Sequence, residues 1–210
     1  MTKIRSAALA ALLAIGASGA QAAVVTGTSA AFGNIPDNDP AGVTRTISIA
    51  QDVEIADVDL GIADFFTSYV GDIILRLRSP AGTEIDLISQ PVTGNAFDST
   101  NLGGSYGFDD GAGRTFLSAV AGLSNNQTLA SGTYRPASAL AAFNGERSAG
   151  IWSVFLSDNF IFDEASAGTA TLTIASPSDG GGVSPIPLPA AMPLLALGLG
   201  ALGVARRRRP

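Results

Sequence analysis

The chain has 210 residues, of which 46% are hydrophobic and 14% charged, and it contains neither Cys nor His. This composition excludes an intrinsically disordered acidic chain, and the missing thiol and imidazole groups exclude Ser-His-Asp and Cys-His catalysis. All 18 acids lie between Asp37 and Asp179, so this span carries a net charge of −12, which repels nucleic acid and favours a divalent cation or a basic protein surface.

Residues 1–22 have the order of a secretory signal peptide. Lys3 and Arg5 precede an apolar run from Ala7 to Ile15 that is too short to span a bilayer comfortably. An uncleaved anchor or a buried helix is the alternative. Removal of this segment also removes Lys3, which is the only lysine of the chain. The small residues that mark the predicted cleavage site are Ala20, Ala22 and Ala23.

Residues 23–175 are predicted to form one all-β domain. Several short runs alternate apolar and polar residues, which places every second side chain in a core. Trp152 shares its face with Val154 and Leu156, so we expect it in the core rather than on a sugar-binding surface. Many short strands separated by Gly- and Asp-rich turns indicate a sandwich or jelly roll. The predicted strand segments are Thr46–Ile49, Val58–Ile62, Ile73–Arg78, Glu84–Ile88, Trp152–Leu156 and Ala170–Ile174.

The C-terminal region has three successive parts. Residues 176–185 form a Gly/Ser/Pro linker, residues 188–205 form an uncharged apolar stretch of 18 residues, and residues 206–209 are all arginine. Eighteen residues are close to the lower limit for a membrane helix, and an arginine cluster stays on the cytoplasmic side. The sequence therefore predicts a transmembrane helix with everything before it outside the cytoplasm. The cytoplasmic anchor residues are Arg206, Arg207, Arg208 and Arg209.

This tail resembles the PEP-CTERM class of bacterial sorting signals, in its VPLPA variant. The resemblance is carried by residues 186–210, in which a short Pro-containing motif, an apolar helix and an arginine cluster follow one another. It implies a Gram-negative origin and recognition by an exosortase-type enzyme. The protein would pass through the inner membrane and then reach the cell envelope, surface or exterior; a permanent single-pass anchor is the alternative. The motif residues are Ile186, Pro187, Leu188, Pro189 and Ala190.

Six further motifs in residues 45–175 resemble, in kind and order, those of the P-domain (P/Homo B domain) of proprotein convertases and bacterial subtilisin-like proteases. They are Ser68–Ile73, Leu77–Thr83, Phe108–Gly111, Gly132–Pro136, Leu140 with Phe143–Gly145, and Gly150–Val154 with Ser157–Asn159. The resemblance implies a jelly-roll β-sandwich of galactose-binding-like type.

The sequence departs from the P-domain pattern at two places. Thr67 and Ser68 stand where the family has its usual His, and the Trp that is common in the final strand is missing from Gly168–Ile174. We expect the core to form without them, whereas any partner contact made by the usual His is lost.

Acidic residues in predicted loops are candidate ligands for Ca²⁺, which takes six to eight oxygen atoms. Some P-domains are similar in binding calcium. The alternative is structural, because Asp and Asn are favoured in turns for their own backbone hydrogen bonds. The candidate calcium ligands are Asp98, Asp109, Asp110, Asp158 and Asn159.

Aromatic residues in the glycine-rich stretch Gly103–Gly113 are candidates for contacting a ligand. We expect Tyr106 and Phe108 to be exposed there, although aromatic residues that anchor a loop are commoner.

The sequence favours an exported, non-catalytic binding or structural module over an enzyme. Its partner would be an extracellular protein or polysaccharide. The alternative is an accessory module that acts in trans on a subtilisin-like serine protease. A hydrolase that works through paired carboxylates is a remote alternative. Two acids at a suitable distance suffice for glycoside hydrolysis, but among 18 acids some pairs approach each other by chance.

Overall fold

A computed structural model describes residues 22–89 and 100–177, which form eleven β-strands and three short helices. The strands are β1 Val24–Thr28, β2 Gly33–Ile35, β3 Val43–Ile49, β4 Asp57–Thr67, β5 Ile73–Arg78, β6 Glu84–Ser89, β7 Leu102–Phe108, β8 Gly132–Tyr134, β9 Gly150–Asp158, β10 Ala165–Ala167 and β11 Ala170–Ala175. The helices are α1 Phe116–Ala121 and the 3-10 turns Val70–Asp72 and Leu140–Phe143.

The strands form two sheets whose inner faces share one hydrophobic core. The larger sheet has seven strands in the order β1-β11-β4-β10-β2, with β7 paired to β4 and β8 paired to β7. The smaller sheet has the order β3-β9-β5-β6. All the pairings are antiparallel except that of β7 with β8. The all-β prediction is confirmed, and each predicted strand segment lies within β3, β4, β5, β6, β9 or β11.

The core is built from the inward-facing side chains of both sheets. Trp152 is fully buried, and its ring packs edge-on against Phe143 with centroids 5.2 Å apart. Its indole N–H donates to the carbonyl of Ser148 at 2.9 Å, so the one polar atom of the ring is satisfied. The prediction that Trp152 belongs to the core is confirmed.

The two ends of strand β4 carry different features. At the Asp57 end, β4 pairs with Ala175 of β11, and Ala23 and Ser176 are hydrogen-bonded to each other. At the Thr67 end, β4 pairs with Ala165 of β10. Eleven residues of strand span about 30 Å, so the two ends are far apart.

Residues 1–21, 90–99 and 178–210 lie outside the described part of the chain. The predicted signal peptide, most of the linker, the sorting motif and the arginine cluster therefore remain predictions. Within the described ranges no helix is long and apolar enough to cross a bilayer, and the predicted span 188–205 falls outside them.

Candidate functional site

The structure divides the predicted calcium ligands between the two ends of the domain. Asp109 and Asp110 follow β7, whose Phe108 pairs with Leu60 near the Asp57 end of β4. Asp158 ends β9 and pairs with Ile73, which follows the Thr67 end. These groups are separated by most of the length of β4, so one ion cannot contact both. Asp98 lies outside the described residues.

The Asp109–Asp110 pair is already engaged by backbone N–H groups. Asp110 accepts hydrogen bonds from Leu140 and Ala141 at 3.0 and 2.8 Å, and these hold the start of a 3-10 turn. Asp109 accepts from Gly111 at 2.6 Å within its own turn. Both carboxylates therefore have the local role that Asp commonly has in turns.

The Asp158–Asn159 pair has side-chain oxygens that remain available. Asp158 is fully buried, and its Oδ1 accepts from the N–H of Phe160 at 3.3 Å. Its Oδ2 and the Oδ1 of Asn159 are buried with no hydrogen-bond partner among the described residues. Burial raises the pKa of Asp158, and the nearby charges of Asp37 and Asp163 raise it further. No group of three or more acidic side chains in the described ranges is placed to hold a metal ion.

The prediction that Tyr106 and Phe108 are exposed ligand contacts is wrong. Both lie in β7 rather than in a loop, and they are 1% and 0% exposed. Both side chains point inward, while Gly107 between them lies on the opposite face of the strand. The Tyr106 hydroxyl donates to the carbonyl of Leu129 at 2.7 Å. Glycine-rich composition suggested a loop, whereas these glycines lie in a strand that is covered by residues 128–134.

Asp59, which sequence patterns did not single out, lies on the outer face of β4 close to three other acids. Partial burial raises its pKa from the ordinary 3.8 to about 6, with further contributions from Asp57, Asp109 and Asp110. Its Oδ1 is buried without a hydrogen-bond partner among the described residues. A carboxylic acid with such a pKa can donate a proton near neutral pH. In the hydrolase alternative, Asp59 would be the candidate proton donor. That alternative stays a prediction.

At the Thr67 end, the loop between β9 and β10 carries three exposed apolar residues. Phe160, Ile161 and Phe162 are 62%, 41% and 89% exposed. We call these three residues the apolar tip. Ser68 donates from its hydroxyl to Asp163 of this loop at 2.9 Å. No sequence periodicity marked the tip, because a run of three apolar residues resembles a buried strand as much as an exposed loop.

Comparisons with known proteins give structural similarities only. No protein-family model matches the chain, and no curated protein sequence matches it. The fold is similar to part of the serine protease of Aeromonas sobria, solved alone and as a complex of that protease with the chaperone ORF2. In both cases the TM-score is 0.46 and the identity 14%, and the match covers 74% of this chain and 27% of the other.

Proposed function

We propose that the protein is an exported, non-catalytic interaction module with a P-domain-like jelly-roll fold. One observation carries the proposal: the two ends of the described part of the chain lie side by side. The N–H of Ala23 donates to the hydroxyl of Ser176 at 2.9 Å, and the N–H of Ser176 donates to the carbonyl of Ala23 at 2.9 Å. A domain held by its C-terminal tail at this end presents its opposite end to the surroundings.

The intact mass and the cell fraction of the native protein test the delivery step. We expect a chain that begins at Ala23 and ends near Ile186 to Ala190, found in the outer envelope or the medium. A full-length tail in the inner membrane would show a permanent anchor instead and would contradict sorting by an exosortase-type enzyme.

An accessory role toward a subtilisin-like serine protease in trans is the alternative function. It is supported by the P-domain-like motifs, which in that family accompany such proteases. Co-purification of a secreted serine protease with the native protein, together with a change in that protease's stability or kcat/KM, supports this alternative. Turnover of protease or glycoside substrates by the purified protein itself contradicts both functions.

Calcium binding by Asp158 and Asn159 is a further part of the proposal. Their two unpartnered oxygens are hard ligands of the kind that Ca²⁺ prefers, whereas those of Asp109 and Asp110 are largely used by backbone N–H groups. We expect calcium to raise the Tm above its value in EDTA and Asp158→Asn to abolish the difference. The matched variant Asp110→Asn should lower the Tm but keep the calcium response. Equal Tm values with calcium and with EDTA would refute calcium binding.

A further inference from the structure

The apolar tip exposes a contiguous hydrophobic surface. Its members Phe160, Ile161 and Phe162 are consecutive, and the last is 89% exposed. Isolated exposed apolar residues are normal on a protein surface, but contiguous ones mark sites of interaction. The tip is thus a candidate contact surface at the Thr67 end.

The backbone conformation of Phe162 is strained. Its φ angle is 81°, in a region that glycine adopts freely and that a bulky side chain avoids. Its N–H donates to the Asp37 carboxylate at 3.2 Å, which helps to hold this conformation. Phe162 therefore lowers stability through backbone strain, and with only 11% of its surface covered it gains little burial in return.

The base of the loop is fixed by hydrogen bonds, while the side chains of the tip are exposed. Ser68 donates from its hydroxyl to Asp163 at 2.9 Å and accepts from the N–H of Glu164 at 3.3 Å. The N–H of Asn159 donates to the carbonyl of Asp72 at 3.0 Å on the other side of the loop. A tip presented on such a fixed base loses little conformational entropy when it binds.

The surroundings of the tip are acidic. The loop 159–164 and the turn 36–42, to which it is hydrogen-bonded, contain no basic residue. An adjacent depression of about 290 Å³ is lined by Ile35 and the 43% exposed Phe66, together with acidic side chains. The acidic residues of the loop and turn with exposed or partly exposed side chains are Asp37, Asp39, Asp163 and Glu164.

An apolar centre with a charged rim is the usual anatomy of a protein interface. Its complement is an apolar pocket surrounded by Lys and Arg. A second copy of this chain carries the same acids and is repelled, and so is an anionic lipid surface.

We propose that the apolar tip is the docking site for a protein whose surface has an apolar pocket with a basic rim. The inference rests on the interaction function proposed above and names its surface and the chemistry of its partner. The tip lies at the opposite end of β4 from Ala23 and Ser176, so a domain tethered by its tail leaves it accessible.

The test uses the full-length protein as bait for a library of random peptides displayed on phage. We expect the selected peptides to combine Arg or Lys with Phe, Leu or Trp. Synthetic copies should bind Phe162→Gly at least about tenfold more weakly than the unchanged protein, as for a central aromatic contact. Glu164→Gln should weaken binding less and reduce its dependence on salt. The matched control Leu117→Ala removes a 47% exposed residue on α1 and should leave Kd unchanged.

Thermal unfolding separates this role from a structural one. The Tm of Phe162→Gly should equal that of the unchanged protein or exceed it by up to about 3 °C, because the backbone strain at this position is removed. A clear fall in Tm would show that the domain itself packs against the tip, which overturns the inference.

Four other results would also overturn it. Selected peptides that bind Phe162→Gly as tightly as the unchanged protein would leave the interaction function standing but place it elsewhere. Tip-dependent binding to phosphatidylcholine vesicles without peptide selection would indicate a membrane surface. A dimer that is lost in Phe162→Gly would indicate a second copy. Failure to select any peptide also counts against the tip, whereas the interaction function is judged separately on native partners.

Discussion

Replacing Asp59 by Asn should stabilise the protein above about pH 6 and leave its stability unchanged near pH 4. The folded state raises the pKa of Asp59 from 3.8 to about 6, first through burial and then through the charges of Asp57, Asp109 and Asp110. The folded protein therefore holds this proton over a pH range in which the unfolded chain has lost it. Protonated Asp59 therefore adds to the free energy of unfolding below its unfolded-state pKa of 3.8, and this contribution is lost as the pH rises from about 4 to 6.

The magnitude follows from the change in pKa. A shift of one pKa unit corresponds to about 1.4 kcal/mol, so the rise from 3.8 to about 6 would change the free energy of unfolding by roughly 3 kcal/mol in a fully buried site. Asp59 retains contact with solvent, which screens its charge, and we therefore expect about half of that value. Asn has the same shape and no charge, so Asp59→Asn should gain about 1.5 kcal/mol at pH 7. For a domain of this size the Tm would rise by about 4 °C.

Urea unfolding monitored by fluorescence gives the assay, because Trp152 is the only tryptophan and is fully buried. The free energy of unfolding is compared between Asp59→Asn and the unchanged protein across pH 4 to 7. The control is Asp64→Asn, which removes an exposed acid of the same strand, and the effect of Asp59→Asn is judged relative to this control. A loss of stability in Asp59→Asn at pH 7, or an equal gain at both ends of the range, would refute the reasoning.

Three further substitutions test close contacts and a buried hydrogen bond in the interior of the domain. Gly27→Ala places a Cβ 2.6 Å from the buried Ile47 and should lower the free energy of unfolding by about 1–3 kcal/mol; an unchanged urea midpoint would show that the sheets can separate. Gly150→Ala should cost a similar amount, because φ is +132° there and the Cβ would lie 2.7 Å from Pro80; calorimetry should show a lower Tm. Tyr106→Phe removes a buried hydrogen bond to a backbone carbonyl and should cost about 1–2 kcal/mol in urea, whereas no loss would contradict its satisfied, interior position.

The sequence was sufficient for the class of fold because local alternation directly encodes which face of a strand is buried. In β5, Ile73, Leu75 and Leu77 are all fully buried, as their spacing predicts. Trp152 could be assigned to the core for the same reason. The short strands β2, β8 and β10 have three residues each, which is too few to show a period.

Only the tertiary structure decided which residues could act together. Asp109 and Asp158 were equivalent as acids in turns, but pairing with different parts of the chain carries them to opposite ends of β4. Tyr106 appeared loop-like from its glycine neighbours and became interior because β7 pairs with β4.

Pairing of β10 with β4 places the loop that carries the exposed Phe162 at the Thr67 end, and pairing of β7 with β4 brings Asp59 close to Asp109. Residue type and local spacing determine whether a segment forms a strand and which face it buries. Burial and neighbouring charge depend on contacts between residues distant in sequence, and a single local pattern does not contain them.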